Sequence, residues 1–163
     1  MTTYTRYEDI DWATWIPREQ ATLLFVIEPE RILLIEKKRG LGAGKINGPG
    51  GRIDPGETPQ QGAIRECQEE LCITPGGVRK AGELWFQFTN GYSLRGHVFR
   101  ADHFEGVPTE TDEAKPLWTP LNDIPYHRMW ADDRIWIPLM LKEQPFEGRF
   151  LFDDDAMLGF ELR

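Results

Sequence analysis

Three carboxylates carry the first chemical signal in this chain. Glu66, Glu69 and Glu70 stand at i, i+3 and i+4, so on a helix they share one face. Like charges at that spacing repel by a few tenths of a kcal/mol, roughly, even in water. The ordinary reading of an acidic face is a solvated surface. A glycine run upstream, Gly48-Pro49-Gly50-Gly51, shifts the reading toward a divalent cation. Mg2+ and Mn2+ take oxygen ligands and leave coordination positions for water and phosphates. Glycine lets backbone approach a ligand closely, so a carbonyl there can join the shell. Lys37, Lys38, Arg39, Lys45 and Arg52 surround this run and, as a set, suit phosphate oxygens.

A helix must present those acids, and the residues for one are present. Thr58 is a good N-cap and Pro59 suits the first helical position. Ala63, Cys67 and Leu71 recur every fourth residue and form a core stripe that Ile64 widens. Gly62 is tolerated at about 1 kcal/mol relative to Ala. Strands are expected over 21–27 and 31–37, joined as a hairpin through Glu28-Pro29-Glu30. Two more are expected over 83–89 and 92–101 around Asn90-Gly91, a strong hairpin signal. In the first of these, Leu84, Phe86 and Phe88 fall on one face and Trp85 and Gln87 on the other. Pro75-Gly76-Gly77 reads as a turn, 104–108 as a loop, and 116–119 as a short strand. Asp132 or Asp133 can cap a last helix, which Pro138 keeps short or kinks. A terminal hairpin is expected from 150–152 and 157–162. The whole reads as a mixed β-sheet sandwiched between helices, an α/β/α arrangement. Residues 1–18 have no clear period and read as an extended arm; 19–163 read as one domain.

The stretch from Gly51 to Ile73 resembles the Nudix box. Gly51 is its opening Gly, Glu57 its first Glu, Arg65, Glu66, Glu69 and Glu70 its charged core, and Ile73 its last apolar position. Two positions depart. Cys67 replaces an aliphatic residue, a mild change for a small buried-type hydrophobe. Cys72 replaces the Gly expected to cap the helix in a left-handed conformation. It must bear about 1–2 kcal/mol of strain or end the helix differently.

The resemblance extends further, to the MutT-like branch that hydrolyses oxidised purine nucleoside triphosphates. The runs that carry it are Lys37-Lys38-Arg39-Gly40-Leu41-Gly42-Ala43-Gly44, Asn47-Gly48-Pro49-Gly50-Gly51, Asp112-Glu113 and Met129-Trp130-Ala131-Asp132-Asp133. It implies hydrolysis to a monophosphate and pyrophosphate with Mg2+, or Mn2+ in its place. By position it implies metal ligands at Gly50 (carbonyl), Glu66, Glu69, Glu70 and Glu113. Glu69 or Glu70 would accept the proton from water, and Arg65 would pair with Glu57 to fix the helix. Asn47, Asp132 and Asp133 would read the purine edge, and Trp130 and Phe86 would pack on its faces. Thr22, Lys37 and Phe88 would line the pocket, with Gly51 and Arg52 at the substrate. Leu41 and Ile46 stand where the branch resembles aromatics and would loosen the pocket wall. Two other readings stay open: a Nudix hydrolase of another nucleoside-diphosphate-linked substrate, such as a normal or methylated purine triphosphate, and a silent nucleotide-binding module.

Composition bounds the partners. With 19 Lys and Arg against 27 Asp and Glu, the formal net charge is −8, which argues against bulk duplex binding. No apolar run approaches a membrane span, and no signal peptide is visible. The two cysteines form neither a disulfide framework nor a zinc pattern. A reduced, cytoplasmic, monomeric protein is expected.

Overall fold

The computed structural model describes residues 3–163; Met1 and Thr2, the start of the expected arm, lie outside the described residues. The strands are β1 (Glu19–Val26), β2 (Arg31–Lys37), β3 (Ile46–Asn47), β4 (Gly50–Arg52), β5 (Ile73–Gly76), β6 (Arg79–Phe88), β7 (Ser93–Ala101), β8 (His103–Gly106), β9 (Ala114–Pro120), β10 (Phe146–Asp153) and β11 (Ala156–Leu162). The α-helices are α1 (Pro59–Leu71) and α2 (Asp133–Leu141); 3-10 turns form at Tyr126–Arg128 and at Tyr7–Asp9, so the arm, expected to be extended, is not extended throughout.

A six-stranded mixed sheet in the order β11-β10-β6-β7-β1-β4 forms the centre. Strand β1 runs parallel to β7, antiparallel to β4. Alternation along β1 builds two cores, because successive side chains leave opposite faces. Leu24 and Val26 pack with Ala63, Cys67 and Leu71 of α1. Phe25 and Ile27 pack with Trp136, Ile137 and Met140 of α2. The helices therefore lie on opposite faces of the sheet, as the α/β/α reading expects.

The expected hairpin of β1 and β2 is corrected. The turn exists, with the Glu28 N–H donating to the Arg31 carbonyl and a single bridge at Ile27–Ile32. Beyond it the strands part, and β2 pairs with β3 and β9 in a separate three-stranded sheet. Both strands send buried side chains into both cores, so their apolar residues are covered without the two strands pairing along their length. The loop expected at 104–108 is also corrected, since β8 pairs with β5 in a two-stranded ribbon. The β6–β7 hairpin and the terminal β10–β11 hairpin form as expected.

Helix α1 starts in a full capping box. Thr58 Oγ1 accepts from the Gln61 N–H, and Gln61 Oε1 accepts from the Thr58 N–H. At its other end Cys72 adopts φ 61°, ψ 31°, so of the two alternatives it bears the strain. Helix α2 is short, with Pro138 inside, and Asp132 at its N-cap makes no side-chain capping bond.

Candidate active site

The acids on α1 do not act as one row. Glu66, Glu70 and the loop residue Glu113 each offer a carboxylate oxygen within 4.8 Å of the others'. Glu113 is brought there by a tether on the helix end. The Thr109 N–H donates to the Leu71 carbonyl, Thr111 Oγ1 donates to the Glu70 carbonyl, and the Glu113 N–H donates to Thr111 Oγ1. Glu69 stands outside the trio, 54% exposed, with Oε2 3.2 Å from Arg65 Nη1.

Arg65 ties this face to the box loop. Its Nε and Nη2 donate to the two oxygens of Glu57 at 2.7 and 3.0 Å, a fork matched to a carboxylate. Nη1 also donates to Glu66 at 2.9 Å, and Nη2 to the Arg52 carbonyl. The Arg65 contact holds Glu57 below the ordinary carboxylate range.

Glu70 is the anomaly of the trio. It is only 6% exposed, and its Oε2 has no hydrogen-bond partner. Burial, with Glu66 and Glu113 adding repulsion, pushes its carboxyl up to about 8. Burial raises Glu66 as well, against the pull of Arg65. A buried carboxylate with an orphaned oxygen, crowded by two half-buried ones, is unfavourable alone and fits a divalent cation. Gly50 and Gly51 are glycines for want of space. A Cβ on Gly50 would collide with the Thr22 carbonyl, and one on Gly51 would sit 2.6 Å from the Glu66 carboxyl carbon.

Beside this face lies a cavity of about 130 Å³. Of the sequence-predicted substrate residues it is lined by Thr22, Lys37, Asn47, Gly51, Phe86, Phe88, Trp130, Asp132 and Asp133, with Gly50 also present. Arg52 is not in the lining; its side chain is 76% exposed, with Nε 3.3 Å from Glu19. Lys38, Arg39 and Lys45 likewise meet Glu110, Glu113 and Asp155, so these members of the expected phosphate set have acidic partners. Lys37 is half-buried, and desolvation lowers its pKa despite Glu70 and Glu66 nearby. Leu41 lines the cavity, whereas Ile46 is buried in the core and forms no part of its wall.

Asp132 and Asp133 are 2% and 3% exposed. Asp132 Oδ2 accepts from Trp136 Nε1 at 2.8 Å, and Asp133 Oδ2 has no partner. Burial raises Asp132 to about 6; it raises Asp133 too, with the Asp132 charge adding to the effect. One carboxyl of the pair can thus donate while the other accepts.

Several features were not foreseen. Leu23, Leu84, Leu94 and Gly96, with Ala21, Ile35 and Gly48, complete the cavity wall; Leu84 shares the alternating face of Phe86 and Phe88, and that signal was available. Gly42, at φ +80°, lies so close to Trp130 that a Cβ would meet Nε1 at 2.7 Å. Lys45 Nζ is 5.3 Å from the Trp130 ring centroid.

A carboxylate-bearing helix behind a glycine strand, in an α/β/α sandwich, defines the class as Nudix hydrolases. The chain belongs to this family: the NUDIX domain matches residues 17–140. It is 44% identical over 144 residues to the oxidized purine nucleoside triphosphate hydrolase of Mus musculus, covering 87% of this chain and 92% of that one. It is 48% identical over 132 residues to the protein of the same description in Danio rerio, covering 80% and 85%. The fold matches the MutT protein of Bacillus halodurans with a TM-score of 0.78 at 24% identity, over 88% of this chain and 97% of that one.

Proposed function

We propose that this Nudix hydrolase converts oxidised purine nucleoside triphosphates to monophosphate and pyrophosphate, removing damaged nucleotides from the pool. One observation carries the reading: two adjacent buried carboxyls, one with an unpartnered oxygen, line a cavity that also borders the glycine strand behind the acidic trio. Oxidation of a purine changes which edge atoms donate and which accept. A pair of carboxyls sharing a proton can match the changed edge.

In this reading Asp132, Asp133 and Asn47 hold the base edge, and Trp130 and Phe86 contact its faces. Thr22, Lys37 and Phe88 complete the wall. Glu66, Glu70, Glu113 and the Gly50 carbonyl would hold Mg2+, with Mn2+ as a substitute and Glu69 close enough in sequence to join. The cation supplies charge neutralisation on the phosphate oxygens. Hydrolysis forms one P–O bond from water and breaks one phosphoanhydride P–O bond. Glu69, exposed and outside the trio, accepts the proton that water loses, and Arg65 with Glu57 fixes the helix that carries it. The domain is proposed to span 19–163, with 1–18 as an arm. It acts as a cytoplasmic monomer without bulk nucleic-acid or membrane partners. Among the described residues no helix is long and apolar enough to cross a membrane.

The test is turnover with Mg2+ across 8-oxo-dGTP, 2-hydroxy-dATP, methylated guanine triphosphate, dGTP and dATP. Preference for an oxidised base over its parent is expected, and it disappears in Asp132→Asn/Asp133→Asn while metal binding persists. Equal turnover of every member, or unchanged selectivity in the double variant, refutes the assignment.

A further inference from the structure

The N-terminal arm lies against the face of the central sheet that α1 packs on, over the part α1 does not reach. Trp15 stacks on Trp85 of β6, with ring centroids 5.2 Å apart and planes 17° apart. Trp12 flanks both rings. Within this stack Trp15 Nε1 donates to Gln87 Oε1 at 2.9 Å, while Trp85 Nε1 donates to Glu83 on its own strand.

Gln87 is nearly fully buried, and its amide makes bonds in three directions. Besides accepting from Trp15, Nε2 donates to the Phe88 carbonyl at 3.0 Å and to the Tyr92 carbonyl at 3.2 Å. It thereby clamps the β6–β7 turn from the arm side. Strand alternation puts Phe86 and Phe88 on the other side of the same backbone, and both line the cavity. Phe88 in turn meets Trp130 edge-on at 6.1 Å. A short chain of contacts thus joins the arm to the cavity wall, while the acidic trio is built from α1 and the 109–113 loop.

We infer that Trp15 is a positioning residue for the base cavity: through Gln87 it holds the Phe86–Phe88 wall and sets affinity for the purine ring, leaving the hydrolytic chemistry alone. The inference rests on the proposed placement of the base in this cavity. An aromatic fixed to within a fraction of an ångström by a buried amide binds a ring with less ordering cost than one on a loose strand.

Trp15→Phe keeps an aromatic ring in the stack and removes the N–H together with the five-membered ring that carries it. It is expected to raise KM for the preferred purine triphosphate about tenfold, because the wall this bond held is then re-ordered at the expense of binding. The kcat should stay within about twofold, and the thermal stabilisation by Mg2+ alone should not change. Amide hydrogen exchange across 86–92 should accelerate in the nucleotide-free variant. Gln87→Leu removes the acceptor of that N–H and both bonds to the turn, so it should raise KM at least as much, and adding Trp15→Phe to it should change little further. Unchanged KM, a parallel fall in kcat and Mg2+ response, or additive single effects overturns the inference. If the unaltered protein hydrolyses no purine triphosphate, the functional reading fails instead. Exchange then decides: unaltered rates at 86–92 in both variants overturn the positioning role, and faster rates support it.

Discussion

Replacing Asp132 by Asn should make the nucleotide-free protein more stable, and only above a certain pH. Asp132 is buried, and burial moves its carboxyl from an ordinary 3.8 to about 6. A carboxyl whose folded pKa is raised binds more protons folded than unfolded, so stability falls as pH rises between the two values and is level above. The gap corresponds to about 3 kcal/mol at about 1.4 kcal/mol per pH unit. Asn removes the charge and keeps an oxygen to accept from Trp136 Nε1. Its new N–H group has the orphaned Asp133 Oδ2 within the same cluster to meet. At about 2–4 °C per kcal/mol for a chain of this size, Tm should rise by about 6–12 °C near neutral pH. The assay is thermal unfolding of both proteins across pH without metal or nucleotide. Below pH 3.8 the curves should converge, and the gap should open up to about pH 6 and not close at higher pH, where Asp133 is relieved of the Asp132 charge in the variant. A variant that is no more stable at neutral pH, or a gap independent of pH, would refute the reasoning. A gain in stability joined to loss of base selection would mark Asp132 as kept for function at a cost to the fold.

Three further outcomes are expected. Cys72→Gly relieves a left-handed residue at an exposed position and should stabilise the protein by about 1 kcal/mol, with turnover unchanged; urea unfolding midpoints check it. Glu70→Gln should abolish the rise in Tm that Mg2+ gives the unaltered protein through binding to the folded state, and a metal titration followed by thermal unfolding reads this directly. Arg65→Lys loses the two-point grip on Glu57 and should lower turnover by about 10- to 100-fold, the range for groups that orient metal ligands, with the circular dichroism spectrum retained.

The site was more legible in the sequence than the sheet that carries it. Helix α1 announced itself through Thr58, Pro59 and a four-residue apolar stripe, and its acids followed from periodicity. Pairing between distant strands leaves no such local mark. The β1–β2 turn looked like a hairpin because both strands are apolar. Apolar runs say that a strand is buried, not which neighbour it joins, and here the two enter different sheets. Strand β8 was missed because His103–Gly106 has little alternating burial. Glu113 was reachable only through resemblance, since its approach depends on a tether through the Thr109 N–H and the Thr111 hydroxyl. Asp132 was weighed as a cap, but its bond goes inward to Trp136. Arg52 misled because a basic residue beside a glycine strand can as easily turn to solvent. The Trp15–Gln87 link spans 72 residues, and nothing local foretells it.

Strand β4 has one more consequence. Gly50 and Gly51 border the cavity on one side, while Gly51 lies directly against Glu66 on the other. Register with Leu23 and Thr22 of β1 prevents that strand from sliding. In the proposed reading, the base and the phosphates therefore lie on either side of this one strand, at a spacing its register keeps fixed. Such a spacing works as a ruler on the substrate. A purine joined to its phosphates by a longer or stiffer linker than ribose could seat either end but not both. Discrimination against such compounds would then come from length alone, without any residue dedicated to recognising the sugar.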